Sequence, residues 1–430
     1  MIEYSLPSEE RSYLRGLAAR QAELAALPVM AARKALWQGV NDGHAETRPP
    51  FAIESWTFAR DFMPPGLFQC TSDLGRRLEH TFLTHIRHHE ILNDDHVCPD
   101  AIEISWQVWQ DEFGIEIPTD RAADVEGVET GYHFDCPIKD LARDGYDMVK
   151  PAAFGVNREN TLAYKAFLEE TFGDVLPVRL AGGVYANNCI TQRLMRLMSM
   201  ETFFMAMYDC PDKLHGLMGL LRDNAKRMAR WAEAEGLLVV NNGNQCTCGT
   251  CLNFTTLLPK GPEPRPGEVK LTDMWAGMDS QETVGISPEM FAEFVYPYYE
   301  DLASLYGLVY WGCCEPADPI WGSIGNLPNL RAISISRWAD QQRMAEALDG
   351  REIVFSRKPD PNFLSVDEKL NEDAWAKEIR STLQAVNGKD VPLQMVVRDV
   401  YTLHGDLNNA RRAVDVARSE IDTYYPALGA

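Results

Sequence analysis

The sequence is short of three things that would have set its function class at once. It is short of basic charge: 41 Lys and Arg stand against 63 Asp and Glu, a net charge of −22 over 430 residues. A partner bound by neutralising phosphates needs a basic face, so nucleic acid is excluded. It has no apolar run approaching the roughly 20 residues that cross a bilayer. Its start, Met1-Ile2-Glu3-Tyr4-Ser5-Leu6, has neither the basic nor the apolar region of a secretory signal. A cytoplasmic protein with no membrane contact is expected. Nucleotide-binding signatures are missing too: no Gly-x-Gly-x-x-Gly follows a predicted strand, and Gly-x-x-x-x-Gly-Lys-Ser/Thr does not occur. Internal repeats and low-complexity tracts are absent.

What is present reads as an ordinary globular chain. With 45% hydrophobic and 24% charged residues it can bury a large core, in one to three domains. Arg11 to Leu27 is rich in strong helix formers and is punctuated by Pro28, Pro49 and Pro50, so residues 1–65 are expected to be an N-terminal helical extension and 66–430 the main domain. Homodimerisation through such an arm is left open by the sequence. Short apolar or alternating runs at Pro177 to Leu180, Gly236 to Asn241, Gly307 to Trp311, Leu330 to Ile335, Glu352 to Phe355 and Pro392 to Val397 predict strands. Longer amphipathic stretches between them predict helices, including Ser199 to Glu235, Ser287 to Tyr306, Trp338 to Asp349 and Val366 to Val386. That alternation is α/β with a parallel sheet. Polar or reactive residues follow nearly every strand, at Asn241, Cys313, Ser336, Ser356 and Arg398. Function spread over many strand ends is how a (β/α)8 TIM barrel builds its site, whereas an open sheet concentrates it at one switch point. A barrel is therefore expected.

Ten cysteines in a reducing compartment call for a metal or reactive-thiol explanation rather than a disulfide framework. Cys313 and Cys314, with Glu315, lie at a predicted strand end. Thiolates suit zinc, and a carboxylate can complete a three-ligand catalytic set. The competing reading is a pair of small thiols packed under a loop. Cys246, Cys248 and Cys251 form a second cluster that can join that site, hold a metal of its own, or be unpaired loop thiols. Glu282, before the helix opened by Ser287-Pro288-Glu289, is a ligand, a general acid/base or a solvated acid. Arg357 and Lys358 can hold an oxyanion. Asp399 and His404 follow the last strand and can ligate or simply form a loop. Asn241, Trp311 and Trp338, with Tyr185 and Trp275, are candidates to line a substrate pocket, the aromatics being equally readable as core. His85, His88 and His89 share one helical face and read as a polar surface.

Several short motifs occur in order: Asp273-Met274-Trp275, Ser280-Gln281-Glu282-Thr283, Ser287-Pro288-Glu289-Met290-Phe291, Tyr310-Trp311-Gly312-Cys313-Cys314-Glu315-Pro316, Ser336-Arg337-Trp338 and Phe355-Ser356-Arg357-Lys358-Pro359. Over about residues 90 to 420 the chain resembles a branch of the uroporphyrinogen decarboxylase superfamily. That superfamily includes the decarboxylase, zinc-dependent methyltransferases that work with corrinoid proteins, and cobalamin-independent methionine synthase. The resemblance implies a TIM barrel. It also implies a zinc-assisted methyltransferase acting on a small-molecule methyl donor or acceptor, with a corrinoid (cobalamin-type) cofactor supplied by a partner protein. The region Phe51 to Leu67 has no Arg-rich signature of the decarboxylase, which disfavours uroporphyrinogen as substrate; a metal-free lyase on the same barrel and a non-catalytic metal- or thiol-binding protein are the alternatives. The methyltransferases' His-x-Cys is replaced here by Gly312-Cys313-Cys314-Glu315, and their later Cys by Asp399, so the implied metal set is Cys313 or Cys314 with Glu315 and Asp399. The cysteine-rich stretch Cys246 to Cys251 stands where that branch commonly has a Gly-rich loop, and Tyr401 where it has a His.

Overall fold

The computed structural model describes residues 4–123, 129–182, 188–247 and 251–425. Eight strands run parallel to a neighbour: β1 (Phe51–Ile53), β2 (Ile102–Ser105), β3 (Val178–Gly182), β4 (Trp275–Met278), β5 (Leu308–Trp311), β6 (Leu330–Ile335), β7 (Val354–Arg357) and β8 (Leu393–Val397). Six of them form one sheet in the order β1-β8-β7-β6-β5-β4. Phe51 lies opposite Met395 and Ile53 opposite Val397, so the first strand pairs with the last, as a closed α/β ring requires. β2 and β3 pair with each other. Among the described residues no strand ladder joins that pair to the six, so the observed pairing is a six-stranded parallel sheet plus a separate pair, not a continuous ring of eight.

The strand expected over residues 236–241 does not form, for a local reason. Asn241 takes both ladder roles with its side chain: its Oδ1 accepts from the Trp275 amide at 2.8 Å and its Nδ2 donates to the Trp275 carbonyl at 3.0 Å. This segment is thereby stapled to the start of β4 by an amide instead of a backbone ladder. The N-terminal residues are also more than an arm. After helices Ser8–Ala25 and Pro28–Asn41 the chain enters the sheet as β1, and Trp37 is fully buried.

Period-two alternation sorts the strand residues onto two faces. Val309, Trp311, Ile333, Ile335, Phe355, Met395 and Val397 join the larger core with the helices. Leu308, Tyr310, Ala332, Val354 and Val396 join a smaller core with Trp37, Cys251, Leu252 and Phe254. Each large side chain fully removed from water contributes about 1.5–3 kcal/mol. The sheet is thus fixed from both sides, and its strand ends are held firmly enough to position side chains.

Candidate functional site

The C-terminal ends of the strands bring together residues from six segments. Glu54 follows β1; Asp279 follows β4; Gly312, Cys313, Cys314 and Glu315 follow β5; Lys358 follows β7; Arg398 and Asp399 follow β8. Cys189 joins them just before helix Ile190–Leu197 because the neighbouring Asn188 amide donates to the carbonyl of Gly277 in β4 at 2.8 Å. The turn out of β5 depends on Gly312, whose φ is +95° and where an added Cβ would come within 3.1 Å of Ser334.

Cys313 and Cys314 have their sulfurs 3.6 Å apart. Arg398 donates to Cys313 Sγ at 3.1 Å and to Glu54 Oε1 at 3.2 Å, and Cys314 Sγ lies 3.7 Å from Asp399 Oδ2. The contact with Cys313 lowers the Cys314 thiol below the ordinary cysteine range. Asp279 goes the other way. Burial, then the negative charge of Glu315, pushes its carboxyl up to about 7, while Cys189 donates to its Oδ2 at 3.2 Å. Its Oδ1 is buried without a hydrogen-bond partner among the described residues. Asp279 was not foreseen from sequence: its perturbation comes from burial beside a second acid, which no local motif encodes.

The thiol pair opens into a cavity of about 260 Å³ that Lys358, Arg398, Trp338 and Tyr401 also line. Trp338 and Tyr401 stand on its rim, 67% and 70% exposed. Asp399, Tyr401 and His404 all have positive φ, at 60°, 57° and 55°. Non-glycine residues in that region store strain and concentrate at functional loops. This loop is held by Asp61, which accepts from Thr402 Oγ1 at 3.0 Å.

Lys358 is buried and reaches the inner network: its Nζ donates to Cys251 Sγ and to Ser356 Oγ, both at 3.1 Å. Tyr310 and Gln394 also donate to Ser356, at 2.8 and 3.0 Å. Cys251 therefore belongs under the cavity, whereas Cys246 is exposed. Cys248 and Tyr185 lie outside the described residues.

Other expected residues turn elsewhere. Trp311 is fully buried against Tyr299 and Phe291 on the helix side of the sheet, because alternation puts its neighbour Tyr310 on the other face. Arg357 faces away for the same reason. It is buried, donates to the Ser336 carbonyl at 2.7 Å and pairs with Glu378 at 2.8 Å, which makes it a structural clamp rather than an oxyanion holder. Asn241 spends its amide on β4. Glu282 sits near the rim, accepting from Thr191 Oγ1 at 2.8 Å. His404 has its Nε2 3.1 Å from the carbonyl of Ser365, which lines the cavity. The histidine run is not a polar surface: His88 is buried with its Nε2 2.8 Å from Asp94, and His96 stacks on it at 4.3 Å and on His85 at 6.0 Å.

The four residues expected to hold zinc do not form one coordination set. Both Glu315 oxygens accept backbone amides, from Ser280 at 3.1 Å and Cys313 at 3.0 Å. A guanidinium already stands against Cys313, and the Asp399 carboxylate approaches Cys314. Among the described residues no group of three or more His, Cys, Asp or Glu converges as metal ligands do.

No protein-family profile matches the chain, and no curated protein matches it. Among solved structures, a methyltransferase from Methanosarcina mazei superposes over 91% of this chain and 99% of its own, with a TM-score of 0.49 and 14% identity. A likeness at that level carries neither family nor activity to this chain.

Proposed function

We propose that the protein is a methyltransferase on a (β/α)8 frame, moving a methyl group between a small molecule held in the strand-end cavity and a corrinoid presented by a partner protein. The motif resemblance over residues 273–359 supports this reading. The observation that carries it is that the strand ends hold both a Cys314 thiol lowered toward thiolate and an Asp279 carboxyl raised toward neutral pH. When a methyl group leaves an oxygen or nitrogen donor, the electron pair of the broken bond stays on the heteroatom, which departs readily only if protonated. Asp279 holds a proton near pH 7 and can deliver it; in the reverse direction its carboxylate takes one. General acid assistance of this kind contributes about 10²–10⁴ in rate. Lys358 and the rim aromatics Trp338 and Tyr401 bind and orient the donor, and the strained loop after β8 fixes Asp399 and Tyr401. A lyase that grips a carboxylate with Arg357 is less well supported, since that guanidinium is committed to Glu378.

The test is spectroscopic. The purified protein, mixed with a reduced corrinoid protein and methoxylated or methylated-amine donors, converts Co(I) to methyl-Co(III), and Asp279→Asn slows the conversion at least about tenfold. If no donor changes the cobalt spectrum, the reading is wrong.

A further inference from the structure

Below the cavity, Cys251, Ser356, Tyr310, Gln394 and Lys358 form a polar knot in the sheet's smaller core. Cys251 is 3% exposed, Ser356 fully buried and Lys358 6% exposed. The lysine nitrogen is 3.1 Å from both Cys251 Sγ and Ser356 Oγ, and Ser356 Oγ is 3.4 Å from the same sulfur. The lysine ring contact is to Tyr310, 5.5 Å from the ring centre. The ammonium is thus held against a thiol by three neighbours that restrict its alternatives. Lys358 also lines the cavity, which gives small molecules a path to this pair.

We propose that Cys251 and Lys358 are an oxidative cross-linking site, joined by dioxygen into a sulfur–oxygen–nitrogen bridge. The geometry favours this over the usual fates of a thiol. A sulfenic oxygen placed on Cys251 has the lysine nitrogen within reach, whereas a sulfinate would need room for a second oxygen in a packed core. Lys358 first releases its ammonium proton to water in the cavity. Thiol, amine and dioxygen then give the bridge and one water: the S–H and one N–H bond break, S–O and O–N bonds form, and the second oxygen atom leaves in water with those two hydrogens. Sulfur and nitrogen each lose two electrons, and dioxygen takes up four. Reduction by two equivalents of a dithiol restores thiol and amine with release of the bridging oxygen as water. The bridge removes a positive charge from the cavity floor and ties the segment after residue 250 to the end of β7. This inference is independent of the methyl-transfer reading.

The test uses the full chain, incubated in air-saturated buffer, denatured, alkylated and digested without reductant. The expected product is a linked pair of peptides containing Cys251 and Lys358, heavier than their sum by one oxygen less two hydrogens. It disappears after dithiothreitol and does not form in Lys358→Arg, which keeps the charge and shows the same far-ultraviolet circular dichroism as the wild type. Recovery of Cys251 only as free thiol, as sulfinate or in a disulfide with Cys248 overturns the proposal. So does a Cys251 link with the same mass increment in Lys358→Arg, because the nitrogen would then come from elsewhere.

Discussion

Asp279→Asn isolates the raised carboxyl at the strand ends. Folding raises this carboxyl from 3.8 to about 7, about three pH units, and each unit is worth about 1.36 kcal/mol of difference between the two protonation states. Over that interval the folded chain keeps a proton that the unfolded chain has released. Stability from this group is therefore fully present below about pH 4 and lost as pH climbs through about 7, a total near ~4 kcal/mol. The raw wild-type profile does not show this alone, since burial holds His85 down at about 4. A neutral buried histidine acts oppositely, its contribution being lost as pH falls below about 6.5. The asparagine variant keeps the shape and cannot ionise, so the wild-type minus variant difference cancels the histidine contribution. Urea titrations at intervals from about pH 4 to about pH 8 should show that difference falling by about 4 kcal/mol as pH rises. Curves that stay parallel within about 1 kcal/mol would refute the burial argument, and with it the assignment of Asp279 as a proton-holding group at neutral pH.

Three further outcomes follow from the same geometry. Arg357→Met leaves Glu378 and two carbonyls without their buried partner and should cost about 3–5 kcal/mol in chemical denaturation, with part of the loss recovered in Arg357→Met/Glu378→Leu; an Arg357→Met protein as stable as wild type would put that side chain in solvent. Brief iodoacetamide treatment at neutral pH should modify Cys314 well before Cys70 and Cys98, whose thiols burial pushes up to about 12. Peptide mapping that finds Cys70 modified as fast as Cys314 would contradict the rim description. His85→Phe should weaken the loss of stability on acidification from about pH 6.5 to about pH 4, because it removes one buried imidazole that must charge; an unchanged acid limb in thermal melts would place the titrating group elsewhere.

The alternation of strand and helix was legible because buried parallel strands are short apolar runs bounded by turns. Leu330–Ile335 has the predicted bounds, and the strands near Leu308, Val354 and Leu393 lie within two residues of theirs. β1, β2 and β4 were missed: three or four residues each, they carry too little periodicity to register, and Trp275–Met278 includes a glycine. The false strand at residues 236–241 was a reasonable apolar run, undone by an asparagine side chain that substituted for backbone pairing. Within the site, alternation along each strand separates Ser356 and Lys358 from Arg357, and Tyr310 from Trp311. The buried histidines were harder. A shared helical face is visible in sequence, but whether it meets water depends on Asp94 and His96, which arrive from a later loop.

Burial and neighbouring charge together set the protonation of the groups at the strand ends. Arg398 divides its guanidinium between Glu54, which is fully buried, and Cys313, while Cys314 is lowered and both Asp279 and Glu315 are raised by burial. Ionising every one of these groups would set several negative charges round that guanidinium at low dielectric, an arrangement the fold resists. Burial beside Glu315 keeps Asp279 toward its protonated form, while the contact with Cys313 favours the Cys314 thiolate, so two different causes push an acid and a thiol apart at the same strand ends. Environments that push neighbouring titratable groups apart in this way are what assign acid and base roles within one site.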